Sequence, residues 1–173
     1  MAVNQEAATI RPLLAGWSHG LAVVPAAFGA IVLVQRAHDD PRKQLSLAVY
    51  GVILVLLFAV SALYHGHRWT AIQKARLRRL DQSNVFMMIA GTYTPIVASV
   101  FSGWTTMVAL ATIWSMALLG VVLITVKSRL HRLIPTSLYL VIGWTALLMA
   151  PATVARLGWL GFSYVATGGA LYT

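Results

Sequence analysis

Cysteine is absent from the 173 residues, and charged residues make up only 10% of them. Without cysteine, the chain has neither disulfides nor thiolate metal sites. The scarcity of charge excludes an ordinary water-facing surface, since soluble domains carry roughly a quarter charged residues. Acidic residues are the rarest, with four Asp and Glu against 13 Lys and Arg. We therefore expect the apolar majority, 59% of the chain, to face lipid.

The net charge of +9 does not indicate nucleic-acid binding, because the basic residues lie in short gaps between apolar runs. This placement is typical of membrane proteins, whose cytoplasmic loops are rich in Lys and Arg. The expected partners are membrane lipids and partner membrane subunits, with no nucleic acid.

Long stretches without Asp, Glu, Lys or Arg indicate membrane-spanning helices, each of which needs about 20 apolar residues. The longest stretch, Gln82–Val126, exceeds one span and contains a break signal at Ser102-Gly103. The sequence therefore predicts an all-α, polytopic transmembrane helix bundle, with residues 1–173 forming a single domain of six hydrophobic segments. The predicted spans cover approximately 14–35, 45–65, 82–101, 104–126, 134–154 and 158–173.

The basic residues also predict an orientation, because Lys and Arg are enriched in cytoplasmic loops. The loop after the third span has none, whereas the loop after the second span is the richest. That second loop contains Arg68, Lys74, Arg76, Arg78 and Arg79. The sequence therefore predicts a cytoplasmic N-terminus.

Three polar residues lie near the cytoplasmic ends of the second and third predicted spans. Ser61 and His65 are one helical turn apart and share a face, and Asp81 opens the third span. A short loop joins these spans, so we expect antiparallel neighbours that bring His65 and Asp81 to one membrane depth. Ionisable groups in a membrane are costly and often functional. As an alternative, Asp81 caps its helix or pairs with Arg78 or Arg79.

Zinc suits these residue types. A neutral imidazole such as that of His65 is a good zinc ligand, and Asp81 can ligate directly or hold a metal-bound water. Zinc would activate that water for attack on a carbonyl or amide, and Ser61 could orient it or stabilise developing charge. Catalytic zinc usually takes three protein ligands, and the further histidines near this end are His19 and His67.

The sequence also resembles a known family. Residues Ser61–His65 resemble the S-x-x-x-H motif of the haemolysin III family, which belongs with the adiponectin and progestin receptors and the alkaline ceramidases. Arg78–Ser83, followed by Ile89–Pro95, resembles the family's third-helix signature, and Ser18–Gly20 resembles its first-helix start. The resemblance covers nearly the whole chain.

This resemblance implies seven transmembrane helices and an intramembrane zinc site near the cytoplasmic face. It implies that His65 binds zinc, that Asp81 holds the zinc-bound water and that Ser61 takes part in the reaction. The implied activity is hydrolysis of a lipid amide or ester, as in the ceramidases. The implied location is the inner membrane of a bacterial cell.

Two features depart from the family pattern. Gln82 stands where the family often has histidine, and no histidine follows His131, although the family's last helix carries an H-x-x-x-H pair that completes the zinc site. We therefore expect either an incomplete version of a seven-helix protein or a loss of metal chemistry. The alternative function is a non-catalytic accessory subunit of a membrane complex, or a sensor. A pore is disfavoured because no span has a repeated polar face.

Overall fold

The computed structural model describes the backbone of residues 2–126 and 133–172, and side chains within 16–126 and 134–170 except 135, 146 and 147. The helices are α1 (Ala2–Arg36), α2 (Pro41–Gly66), α3 (Ala71–Val100), α4 (Trp104–Val126), α5 (Leu133–Trp144) and α6 (Ala150–Tyr172), with a 3₁₀ segment at Thr145–Met149. No strand occurs in the described part of the chain, and the predicted all-α fold is confirmed.

Four of the described helices are long and apolar enough to cross a membrane. They are Gly16–Arg36 within α1, Pro41–Gly66, Ala71–Val100 and Trp104–Val126. The fifth and sixth predicted segments stay predictions, since α5 has only 12 residues and α6 contains a kink. The described helices therefore form a bundle with four candidate spans, fewer than the six hydrophobic segments that the sequence predicts.

Side-chain caps set the starts of α2 and α3. Asp40 Oδ1 accepts hydrogen bonds from the backbone N–H groups of Arg42 and Lys43, at 3.1 and 3.2 Å, and Pro41 occupies the first turn. These donors, the Lys43 amide foremost, hold the pKa of Asp40 below its usual value. Thr70 opens α3 with a reciprocal capping box to Gln73.

Helices α1 and α2 pack antiparallel. Gly16 of α1 lies against Gly66 at the end of α2. Further along the pair, Gly51 of α2 lies against Ala30 of α1. A Cβ atom at Gly51 would lie 2.5 Å from that of Ala30, so glycine is what permits this close approach. The α1–α2 pair is therefore a tight helical hairpin with small residues along its seam.

Helix α3 forms the centre of the bundle. Its Gly91 lies against Ile53 of α2, and on another side its Phe86 ring lies against Gly120 of α4. Phe86 and Val97 are the largest fully buried side chains among the described residues, and both belong to α3. Because packing rather than propensity supplies most helical stability, α3 organises the helices around it.

Tyr93 of α3 contacts the interruption between α5 and the 3₁₀ segment. Its hydroxyl donates to the carbonyl of Gly143 at 2.7 Å and lies 3.2 Å from both the Ile142 carbonyl and Thr145 Oγ1. A change from α to 3₁₀ hydrogen bonding frees carbonyl groups that lipid cannot satisfy. The Tyr93 hydroxyl therefore stabilises the interruption.

A second interruption lies at Gly158, where the backbone takes φ 70° and ψ 175° inside α6. Gly143 and Gly168 line the same apolar cavity of about 460 Å³. A straight α6 would carry Gly168 roughly 27 Å beyond Ala150 at 1.5 Å per residue. The chain therefore changes direction at Gly158, where the backbone has a conformation that glycine adopts without steric cost.

Candidate functional site

The candidate site begins where α1 crosses the end of α2. A Cβ atom at Gly16 would lie 2.7 Å from both the Cα and the N of Gly66, so the two backbones are in direct contact. One turn further along α1, Gly20 faces Ala62. His19 lies between these two glycines in sequence, and the close approach brings its ring onto α2.

Three polar side chains meet at this crossing. Nδ1 of His19 and Oγ of Ser61 are 2.7 Å apart, a hydrogen bond whose direction depends on the tautomer of His19. The His65 ring lies edge-on to the His19 ring, with 6.3 Å between centroids. The Phe58 ring, about one turn before Ser61 in α2, also packs against His19, with 5.9 Å between the ring centroids. The predicted Ser61–His65 face of α2 is therefore covered by a histidine of α1.

Burial separates these groups from bulk water. Ser61 is 7% exposed, and His19 and His65 are half-buried. A buried hydroxyl needs a hydrogen-bond partner, and His19 supplies it. The arrangement offers two half-buried imidazoles and one buried hydroxyl, which are groups able to bind a metal ion or to hold a proton.

The packing register places Asp81 at the height of Ser61. Asn84 of α3 donates to the Leu56 carbonyl of α2 at 3.3 Å, and Gly91 lies against Ile53. Counting back along antiparallel helices from these two contacts puts Asp81 opposite residues 59–63 of α2. Asp81 is half-buried.

Asp81 has no ion pair with Arg78 or Arg79 among the interactions of the described residues, where the ion pairs are His38–Asp39 and Lys43–Asp40. No hydrogen bond of the described residues joins Asp81 to His65 either. The carboxylate therefore lies at the depth of the candidate site, and no hydrogen bond of the described residues joins it to the His19–Ser61 pair.

His67 lies just outside this group. It caps the end of α2, where its ring packs edge-on against Trp69 at 4.8 Å between centroids. Trp69 in turn donates its indole N–H to the Leu63 carbonyl at 2.9 Å. His67 is exposed and belongs to the loop that joins α2 to α3.

The donor types fit zinc, but the described residues do not complete a zinc site. Imidazole and carboxylate are zinc ligands, and catalytic zinc sites use three protein ligands. Within the side chains that the structure describes, no three His, Cys, Asp or Glu residues are grouped closely enough to hold a metal ion. The ring of His65, the predicted ligand, lies edge-on to that of His19, with 6.3 Å between the centroids.

Sequence reasoning placed Ser61, His65 and Asp81 but did not predict the bond from His19 to Ser61. A signal for it exists in the chain, since Gly16 and Gly20 form a G-x-x-x-G pair beside His19. Such pairs permit close helix contact. Only the register of α1 on α2 shows that this contact places His19 against Ser61.

The fold and the site define an integral membrane helix bundle with a polar group at one end of its first three helices. The family profile described as "Haemolysin-III related" matches residues 8–173. The chain belongs to the haemolysin III family.

Individual relatives agree with this assignment. Over 161 residues the chain is 32% identical to the hemolysin-3 homolog of Bacillus subtilis (strain 168), a match that covers 90% of this chain and 74% of that protein. It is 29% identical over 158 residues to hemolysin-3 of Bacillus cereus, covering 90% and 72%. It is 25% identical over 163 residues to the human monocyte to macrophage differentiation factor, covering 90% and 66%.

Proposed function

We propose that this protein is a zinc-dependent membrane hydrolase that cleaves a lipid amide or ester at the polar end of α1, α2 and α3. The observation that carries the proposal is the buried Ser61 hydroxyl, held by His19 and one turn from His65. Buried polar groups inside a membrane are costly, and their usual justification is function. Membership of the haemolysin III family supports the proposal, because the motifs that define the resemblance contain Ser61, His65 and Asp81.

Each residue has a role in this proposal. His65 would bind zinc, with Asp81 as a second ligand or as the base that accepts a proton from the attacking water at its carboxylate oxygen. Ser61 would orient the scissile carbonyl or donate to its developing negative charge. Zinc, when bound, would polarise the carbonyl and make water a stronger acid. The membrane location gives the site access to lipid substrates rather than to soluble ones.

Metal analysis of the purified protein tests this proposal. We expect stoichiometric zinc in the wild-type protein and its loss in His65→Ala, together with loss of hydrolysis of an N-acyl lipid or a lipid ester. His38→Ala is the matched control, because His38 is exposed and bonds only locally, to the Gln35 carbonyl and Asp39. A wild-type protein without zinc, or unchanged lipid turnover in His65→Ala, would contradict the hydrolase.

A second candidate is a non-catalytic component, either an accessory subunit or a sensor. The observation that favours it is that the described residues include no group of three metal-ligand side chains. In this case Asp81→Asn would leave physiological function unchanged, and the protein would co-purify with partner membrane subunits. A protein that is monomeric and active alone would exclude this candidate.

We further propose that the protein resides in the inner membrane of a bacterial cell with its N-terminus in the cytoplasm. The Bacillus relatives support the location. The excess of Lys and Arg between α2 and α3 supports the orientation. In this proposal the Ser61–His65 end of the bundle faces the cytoplasm.

A further inference from the structure

Hydroxyl groups in these helices have a preferred partner within their own helix. Five threonines donate to the carbonyl four residues earlier, at 2.8–2.9 Å. They are Thr92, Thr94, Thr112, Thr125 and Thr153. This bond satisfies the hydroxyl without help from another helix and is open to both Ser and Thr in a helix interior.

Ser61 behaves differently. Its hydrogen bond goes to His19, 42 residues away and on another helix. The carbonyl of Leu57 lies one turn earlier in α2. It would be the partner if Ser61 bonded, as the five threonines do, to the carbonyl four residues earlier. In the tautomer in which Nδ1 accepts, His19 competes with the backbone of α2 for the Ser61 proton, and in this structure His19 is the partner.

The position of His19 is itself set by backbone contact. Gly16 and Gly66 touch without side chains between them, so α1 cannot slide or tilt there without a clash or a gap. Gly20 against Ala62 makes a second small contact on the same seam, 3.8 Å from an added Cβ. The His19 ring thus approaches Ser61 from a helix that is fixed on both sides of it.

We propose that His19 is a positioning residue that acts through Ser61, so that α1 belongs to the functional site. Its Nδ1 holds the Ser61 hydroxyl toward α1 and away from the Leu57 carbonyl. Without His19 the hydroxyl rotates to its intrahelical partner and no longer serves the site. This inference deepens the hydrolase proposal and rests on it for its functional readout, whereas its structural readout is independent of any activity.

Replacements at His19 test the role of one atom. Asparagine places a hydrogen-bonding atom at the δ position, as Nδ1 does, whereas glutamine places it one bond further out. In the full-length protein we expect His19→Ala and His19→Gln to weaken zinc binding and lipid hydrolysis roughly 10–100-fold, the usual effect of losing a group that orients a metal site. His19→Asn should stay within about threefold of wild type by the same reasoning, because the bond to Ser61 is kept.

A double-mutant cycle tests whether His19 acts through Ser61. If it does, His19→Ala combined with Ser61→Ala should be no worse than Ser61→Ala alone. Additive losses would overturn the proposal, and so would equal losses in the Asn and Gln variants. His38→Ala again serves as the control, because its Nδ1 bond to Gln35 is local and exposed.

A direct structural readout separates this inference from the hydrolase. The Ser61 side-chain rotamer, determined by cryo-electron microscopy or by selectively labelled NMR, should differ between wild type and His19→Ala and be restored in His19→Asn. If the wild-type protein holds no zinc and hydrolyses no lipid, the hydrolase fails while the rotamer change still supports positioning. An unchanged Ser61 rotamer in His19→Ala overturns the positioning role, whatever the activity.

Discussion

Asp40 is a single side chain on which the start of α2 depends. It caps two backbone N–H groups that would otherwise be unpaired at the helix end, and its pKa is lowered by the bonds it receives. A carboxyl with a lowered pKa contributes stability above its unfolded pKa, near 3.9, and loses it as the pH falls through the folded value. The contribution of Asp40 is therefore complete at neutral pH and disappears in acid.

Asp40→Ala should consequently lower the unfolding temperature at pH 7, and the difference from wild type should shrink below about pH 4. Thermal unfolding in detergent across this pH range measures both effects. Asp39→Ala is the control, because Asp39 is 87% exposed and contacts His38 rather than the helix end. An Asp39→Ala effect as large as that of Asp40→Ala would show that general loss of charge, not capping, is responsible.

Sequence alone singled out Ser61 but not the cap at Asp40, for different physical reasons. Ser61 belongs to a motif with fixed spacing to His65, so a helix places both on one face whatever surrounds them. The hydrogen-bond partner of Ser61 depends on how α1 lies on α2, and no spacing within α2 encodes that. The cap at Asp40 was readable in principle, because Asp followed by Pro41 is a common helix start.

Glycines in α1 allow the hairpin with α2 to be tested one position at a time. An alanine methyl at Gly16 would meet backbone atoms of Gly66 and His65, which cannot rotate away. Overpacking of this kind costs about 1–3 kcal/mol. At Gly29, in the same helix, an added methyl meets nothing within 4 Å.

Gly16→Ala should therefore destabilise the protein, whereas Gly29→Ala should be neutral or stabilise it by roughly 0.5–1 kcal/mol through the better helix propensity of alanine. Equilibrium unfolding in mixed detergent micelles compares the two variants. The Gly16→Ala substitution should also lengthen the contact from His19 to Ser61. Equal stability of both variants would mean that α1 does not pack on α2 at Gly16.

The apolar runs predicted the long helices because a run of about 20 apolar residues can satisfy its backbone in lipid only as a helix. The interruption at Thr145–Met149 was not predicted, although Gly143 and Pro151 flank it and both residue types disfavour a continuous helix. The freed carbonyls are stabilised by Tyr93, which lies about 50 residues earlier in the sequence. A partner so distant leaves no local sequence signal.

The absence of cysteine makes the orientation of the whole chain measurable, because any introduced thiol is unique. Asp39 lies between α1 and α2, and Arg76 lies in the exposed first turns of α3. With a cytoplasmic N-terminus, these positions are on opposite sides of the membrane. The charge distribution predicts Arg76 inside and Asp39 outside.

In intact cells, a membrane-impermeant maleimide should label Asp39→Cys and should label Arg76→Cys only after permeabilisation. Both positions are exposed, so equal labelling in solubilised protein is the control. The reverse pattern would place the Ser61–His65 end of the bundle on the outside of the cell. The positive-inside prediction would then be wrong for this chain.

The antiparallel hairpin of α1 and α2 also bears on how the chain enters a membrane. Both partners of the His19–Ser61 bond belong to α1 and α2, which are synthesised before α3. They can pair before α3 leaves the ribosome, so neither polar side chain needs to meet lipid unaccompanied. The same contact that orients a hydroxyl in the mature bundle thus lowers the cost of inserting the two helices as one unit.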